Sequence, residues 1–95
     1  MKIYQSFFLR NQTATICVLE HGLEVSLDNG LKVIHLNGTA KKIWELTSIL
    51  ISLDELVNKI QQTYGREASL VREEVLLFLD DATGHGLMSQ FISGH

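Results

Sequence analysis

Four histidines, one cysteine and eleven carboxylates are the groups through which this 95-residue chain could do acid–base, nucleophilic or metal chemistry. Such chemistry needs convergence, and the spacing argues against it. His21, His35, His85 and His95 stand singly, and no Cys/His spacing matches a zinc pattern. His21 and His85 each precede a glycine at a predicted element end, where a polar residue is ordinary. The pairs Glu73-Glu74 and Asp80-Asp81 lie on a predicted helix, so the members of each pair point about 100° apart rather than at one substrate. A solvated helix face is the simpler account of them. Neither the spaced glycine triplet of dinucleotide folds nor a Gly-Lys-Ser/Thr loop occurs. Cys17 cannot form an internal disulfide, and among Ile16, Val18 and Leu19 it is expected as a buried thiol acting as a small hydrophobe. No enzymatic activity, no metal and no cofactor are therefore expected.

Composition narrows the remaining classes. The length allows one domain, residues 1–95, with one modest core. The longest nearly apolar run, Leu46 to Leu53, is far short of the roughly 20 residues that span a bilayer. The start, Met1-Lys2-Ile3-Tyr4-Gln5-Ser6, lacks the pattern of a secretory signal, so a cytoplasmic location without membrane attachment is expected. A formal net charge of -3 gives no general attraction to nucleic acid or anionic lipid.

The elements that would position any site change character near Asn37: apolar residues alternate before it and recur at helical spacing after it. Asn29-Gly30 lies between two alternating segments and suits a type I′ turn, whose central positions both need positive φ. With that turn Leu27 faces Lys32, Val25 faces Ile34 and Leu23 faces Leu36. Leu23, Val25, Ile34 and Leu36 then share a core face, while Glu24, Ser26, Val33 and His35 occupy a half-exposed one. A strand from about Thr13 to Glu20, joined through His21-Gly22, adds Ile16 and Val18 to the core face and completes a three-stranded antiparallel meander. The first 12 residues, with Phe7, Phe8 and Leu9, read as an extra strand or as an arm.

Three helices follow. Asn37 is placed to cap the first, with Ala40, Ile43, Trp44 and Thr47 on one side. Ser52-Leu53-Asp54-Glu55 has capping-box spacing, Leu53, Leu56, Val57 and Ile60 form the buried stripe of the second, and Gly65 can close it. Ser69 is the expected cap of the third, which runs to about His85-Gly86 with Val71, Val75, Phe78, Leu79 and Ala82 inward. Leu76 and Leu77 project to either side of that stripe, so this helix has something further to cover or bind. The fold class is α+β, in the layout of a winged helix-turn-helix: a three-stranded antiparallel sheet followed by three helices.

The run Leu31-Lys32-Val33-Ile34-His35-Leu36-Asn37-Gly38-Thr39-Ala40-Lys41-Lys42-Ile43-Trp44-Glu45-Leu46 resembles the PqqD-like signature, in which a strand leads into Leu-Asn-x-Thr-Ala-x-x-Ile-Trp-x-Leu. Ser52 to Gly65 is similar to the second helix of that family, and Glu74 to Leu87 to its third. The Asp-Gly-x-x-Thr/Ser turn common between the first two helices is replaced by Ser48-Ile49-Leu50-Ile51-Ser52. The aromatic pair that lasso-peptide members carry before Leu-Asn is Ile34-His35.

The resemblance implies a RiPP recognition element, which binds the leader of a ribosomally made precursor peptide and presents it to a modifying or processing enzyme. The partners implied are that peptide and an enzyme such as a radical-SAM protein or a leader peptidase, with PQQ and lasso-type pathways both open. Carried onto this chain, the leader adds as a strand beside Leu31, Lys32, Val33, Ile34 and His35. The groove wall is then drawn from Arg72, Val75, Leu76, Leu79 and Asp80. Val75 and Leu79 read first as core, Leu76 turns off the core stripe and is the favoured contact, and Lys32 and Arg72 either pair with acidic leader residues or are simply solvated. A DNA-binding winged helix is the rival reading, opposed by four acids against one arginine on Ser69–Asp81. A plain dimerisation module using Val33 or Leu76 is another.

Overall fold

The computed structural model describes residues 4–94, so His95 and Ile3 lie outside the described residues. Within them the chain runs β1 (Tyr4–Arg10), β2 (Thr15–Leu19), β3 (Gly22–Leu27), β4 (Lys32–Leu36), α1 (Gly38–Leu46), β5 (Ile51–Ser52), α2 (Leu53–Tyr64), α3 (Ala68–Gly84) and β6 (Met88–Gly94). The architecture is α+β, with three helices and two three-stranded antiparallel sheets ordered β2-β3-β4 and β5-β1-β6. The first sheet is the expected meander. The second is an addition to the expected layout: the N-terminal segment is its central strand, flanked by β5 and by β6, which sequence patterning did not indicate.

The β3–β4 register is the expected one, with Leu23 opposite Leu36, Val25 opposite Ile34 and Leu27 opposite Lys32. Asn29 (φ 56°, ψ 35°) and Gly30 (φ 88°) take the conformations of a type I′ turn, closed by the Leu31 N–H donating to the Asp28 carbonyl at 3.1 Å. Asp28 is also left-handed, at φ 52°, so the strands stop at Leu27 and Lys32 and the connection is four residues long. At the other end of the meander a Cβ on Gly22 would collide with the Leu36 carbonyl. The close approach of β3 to the end of β4 therefore requires a residue without a side chain there.

One core joins both sheets to the helices. It takes Leu23, Val25 and Leu36 from the first sheet, Phe8, Ile51 and Met88 from the second, and Ile43, Trp44, Leu56, Ile60, Val71, Val75 and Leu79 from the helices. Ser52 caps α2, its Oγ accepting from the Glu55 N–H at 3.2 Å, and Gly65 closes the helix in the left-handed region at φ 63°. Arg66 then makes a bidentate pair with Glu74, at 2.7 and 3.0 Å, which raises its pKa above the ordinary arginine value. Thr47 is buried, with its hydroxyl donating to the carbonyls of Ile43 and Trp44. Trp44 Nε1 is buried without a hydrogen-bond partner, while the Arg10 guanidinium stands 5.0 Å from the centroid of the Trp44 ring.

Several expectations are corrected. Cys17 is exposed, because the strand period that sends Ile16 and Val18 to one face sends Cys17 to the other. Ile16 and Val18 do face the core side, yet they extend past it and are exposed. Ser69 does not cap α3: the helix begins at Ala68, and the Ser69 hydroxyl donates to the Glu67 carboxylate at 2.9 Å instead. Asn37 holds the N-cap position of α1 in extended conformation, but without a side-chain capping bond.

Candidate functional site

β4 is one edge of its sheet, pairing with β3 and with no strand on its other side among the described residues. Which backbone groups that edge offers follows from alternation. The two-residue link Glu20-His21 makes Leu19–Gly22 the closing pair of β2 and β3, so Gly22, Glu24 and Ser26 spend their backbone groups on β2. Leu23, Val25 and Leu27 then bond to β4 through Leu36, Ile34 and Lys32. Val33 and His35 are left with N–H and C=O turned outward. Both residues are exposed, Val33 to 53%.

Beside that edge lies a cleft of about 230 Å³ between β4 and the C-terminal half of α3. Lys32, Val33 and Ile34 form one wall and Phe78, Asp81 and His85 the other, with Ala82 and Leu87 at the base. The helical residues recur at i, i+3 and i+7, a spacing that keeps them on one side of α3. Lys32 closes one end by donating from Nζ to the His85 carbonyl at 2.9 Å. His85 Nε2 lies 3.4 Å from Asp81 Oδ1, one helical turn back. The cleft is thus apolar along its length, from Val33, Ile34 and Phe78, with a cation and an anion at its mouth. That arrangement suits an extended peptide, whose backbone would pair with Val33 and His35 while one side chain enters between Ile34 and Phe78.

The strand half of the expected site is assembled here: Lys32, Val33 and Ile34 line the cleft, His35 continues the edge, and Leu31 sits in the exposed turn before it. The helical half is placed differently. Val75 and Leu79 are core residues. Leu76 and Asp80 line a recess on the opposite side of α3, against Phe8 of β1 and Gln90 of β6. Arg72 lies on that side too, held by Asp54 at 2.8 Å and beside Gln5 and Ser6. Relative to the core stripe, Leu76 turns about 100° one way from Val75 and Asp81 about 120° the other way. Asp81 and His85 therefore face β4, while Leu76 and Asp80 lie on the other flank of α3. The i, i+3, i+7 relation of Phe78, Asp81 and His85 was the available signal, but only packing shows which flank meets β4.

Among the described residues no three His, Cys, Asp or Glu side chains gather as a metal site, and no helix is long and apolar enough to cross a membrane. No curated protein and no solved structure matches the chain. The family model for coenzyme PQQ synthesis protein D matches residues 25–88, about two thirds of the chain, and that stretch includes all of β4, the three helices and both walls of the cleft. The chain belongs to the PqqD family.

Proposed function

We propose that this protein binds the leader segment of a ribosomally synthesised precursor peptide along β4 and presents it to a modifying or processing enzyme. The observation that carries the reading is the apolar cleft lying against a free strand edge whose outward backbone groups belong to Val33 and His35. Backbone pairing supplies affinity whatever the leader sequence, and the cleft supplies selection. The side chain between Ile34 and Phe78 would be apolar, and an acidic neighbour would meet Lys32. The partner enzyme is a radical-SAM protein in a PQQ-type pathway or a leader peptidase in a lasso-type one, and the protein itself is an accessory without turnover. In this reading β2, β3, β4 and the helices act as a winged helix-turn-helix unit turned to peptide recognition. Duplex DNA suits it poorly, since Arg72, the one cation of α3, is already engaged by Asp54 and the helix otherwise shows Glu73, Glu74, Asp80 and Asp81.

Amide chemical-shift mapping with the precursor leader encoded beside this protein tests the site. The expected shifts fall on Val33, His35, Phe78, Asp81 and His85. Shifts confined to Leu76, Asp80 and Gln90 would move the peptide to the other flank of α3 and overturn the proposal.

A further inference from the structure

Three strands have an open edge among the described residues: β2 and β4 at the two sides of the meander, and β6 beside β1. An open edge alone therefore identifies no partner, and the side chains around each one must tell them apart. On β2 the pairing that turns Thr15 and Cys17 toward β3 leaves the N–H and C=O groups of Ile16 and Val18 outward. On β6 the Asn11 N–H donates to the Leu87 carbonyl at 2.9 Å, and alternation from that bond leaves Gln90 and Ile92 outward.

Charge separates the three edges. The recess beside β6 is lined by Asp80 and by no cation. At β4, Lys32 is already held by the His85 carbonyl, with Asp81 on the opposite wall. The groove of about 390 Å³ beside β2 differs: Arg10, Lys41 and Trp44 line it together with the exposed side chains of Ile16 and Val18, and Glu45 is its one carboxylate. Arg10 and Lys41 are half-buried and neither has a carboxylate within ion-pair distance among the described residues, whereas Glu45 is exposed. Half-buried charges are screened less than exposed ones, so the two cations dominate the groove. The Arg10 guanidinium is also held in place, 5.0 Å from the centroid of the Trp44 ring, with Nη1 donating to the Trp44 carbonyl at 3.3 Å. The rest of its planar fork is left for a carboxylate.

We propose that the β2 edge and this groove hold an extended acidic segment of a second protein while the leader lies on β4. The segment pairs with the outward groups of Ile16 and Val18, and every second side chain then turns to the face that carries Ile16, Val18 and Trp44. Carboxylates at those positions meet Arg10 and Lys41. Since β2 and β4 are the two edges of one sheet with only β3 between them, the two bound chains lie about 19 Å apart, four strand spacings of roughly 4.8 Å. The bridging rests on the leader-binding role proposed for β4, whereas the β2 site does not.

The test uses the full chain and a synthetic peptide of about seven residues that alternates threonine with glutamate, enough to run the length of β2. Amide chemical shifts move saturably on Ile16 and Val18, and the fluorescence of Trp44, the one tryptophan, changes with them. The same peptide with lysine for glutamate does not bind. At about 1 M salt, where charges are screened beyond roughly 3 Å, the acidic peptide loses most of its affinity. Arg10→Gln and Lys41→Gln each weaken it by roughly fivefold, and Lys41→Gln keeps the charge test valid if loss of the Arg10 contact with Trp44 disturbs folding. Val18→Pro removes an outward N–H without touching the β2–β3 ladder and weakens binding by roughly tenfold or more, with circular dichroism as wild type. Val33→Pro leaves the acidic peptide bound, so failure at β2 is distinct from failure of leader binding at β4. Equal binding of the two peptides would overturn the proposal, as would shifts confined to Gln90 and Ile92 or to Val33 and His35, or no saturable shift on β2. Shifts on Ile16 and Val18 that follow protein concentration without any peptide would give the edge to a second copy of this chain, and equally overturn it.

Discussion

Val33→Pro separates binding from folding because of where one N–H points. At Val33 that group faces the free edge, so proline removes nothing from the β3–β4 ladder, and an edge position with an outward N–H is where a strand tolerates proline. The Val33 side chain is 53% exposed, so the folding cost should stay near about 1 kcal/mol. Binding loses more. One ladder hydrogen bond contributes about 0.5–1.5 kcal/mol net, and the leader carbonyl left facing proline adds about 1–3 kcal/mol of unmet desolvation. A combined loss of about 2–4 kcal/mol raises Kd by roughly thirtyfold or more. Calorimetric titration with the leader, beside a thermal melt followed by circular dichroism, reads both quantities. Ile34→Pro is the matching control: its N–H bonds inward to Val25, so that variant should lose the fold rather than only the ligand. A folded Val33→Pro protein that binds within about threefold of wild type would refute strand addition at this edge, given the size of even one lost ladder bond.

Gly22→Ala should destabilise the protein well beyond an ordinary surface change, by about 1–3 kcal/mol, because the new methyl meets the Leu36 carbonyl, which belongs to backbone and cannot swing aside. A denaturant midpoint equal to wild type would show that the two strands can separate without cost. Ser52→Ala removes the acceptor of the Glu55 N–H and should cost about 1 kcal/mol, seen as a lower midpoint with an unchanged denaturant slope.

The parts of this fold legible in the sequence are those fixed by neighbours along the chain. Asn29-Gly30 set the β3–β4 register to the residue because alternating side chains on both sides agreed with it, and Ser52 and Gly65 marked the ends of α2 by local backbone chemistry. The second sheet was not legible. It pairs residues from opposite ends of the chain, and Gln5-Ser6-Phe7-Phe8 and Ser89-Gln90-Phe91-Ile92 mix polar and apolar types without a clean period. The apolar neighbours of Cys17 suggest burial, whereas the strand period sets it on the opposite face from them. Of the cleft beside β4, the strand wall followed from the hairpin. The helical half depended on the rotation of α3 about its own axis, which is settled by Val71, Val75 and Leu79 packing into the shared core.

The pairing of β1 with β6 also sets an order of events during synthesis. β1 leaves the ribosome before the other described elements, yet its long partner β6 follows all of them, and in between only the two-residue β5 can lie beside it. The meander and the helices need contacts between segments that are close along the chain, so they can form while the C-terminal strand is still being made. Closing the second sheet spans nearly the whole chain, although each doubling of the enclosed length adds only about 0.6 kcal/mol of closure entropy. Until Met88–Gly94 arrives, β1 is a nascent strand with an unfilled edge and Phe8 is without its cross-strand neighbour Gln90. Translation that stalls before Met88 would therefore leave a chain whose meander and helices are assembled and whose β1 is open to pairing with other chains.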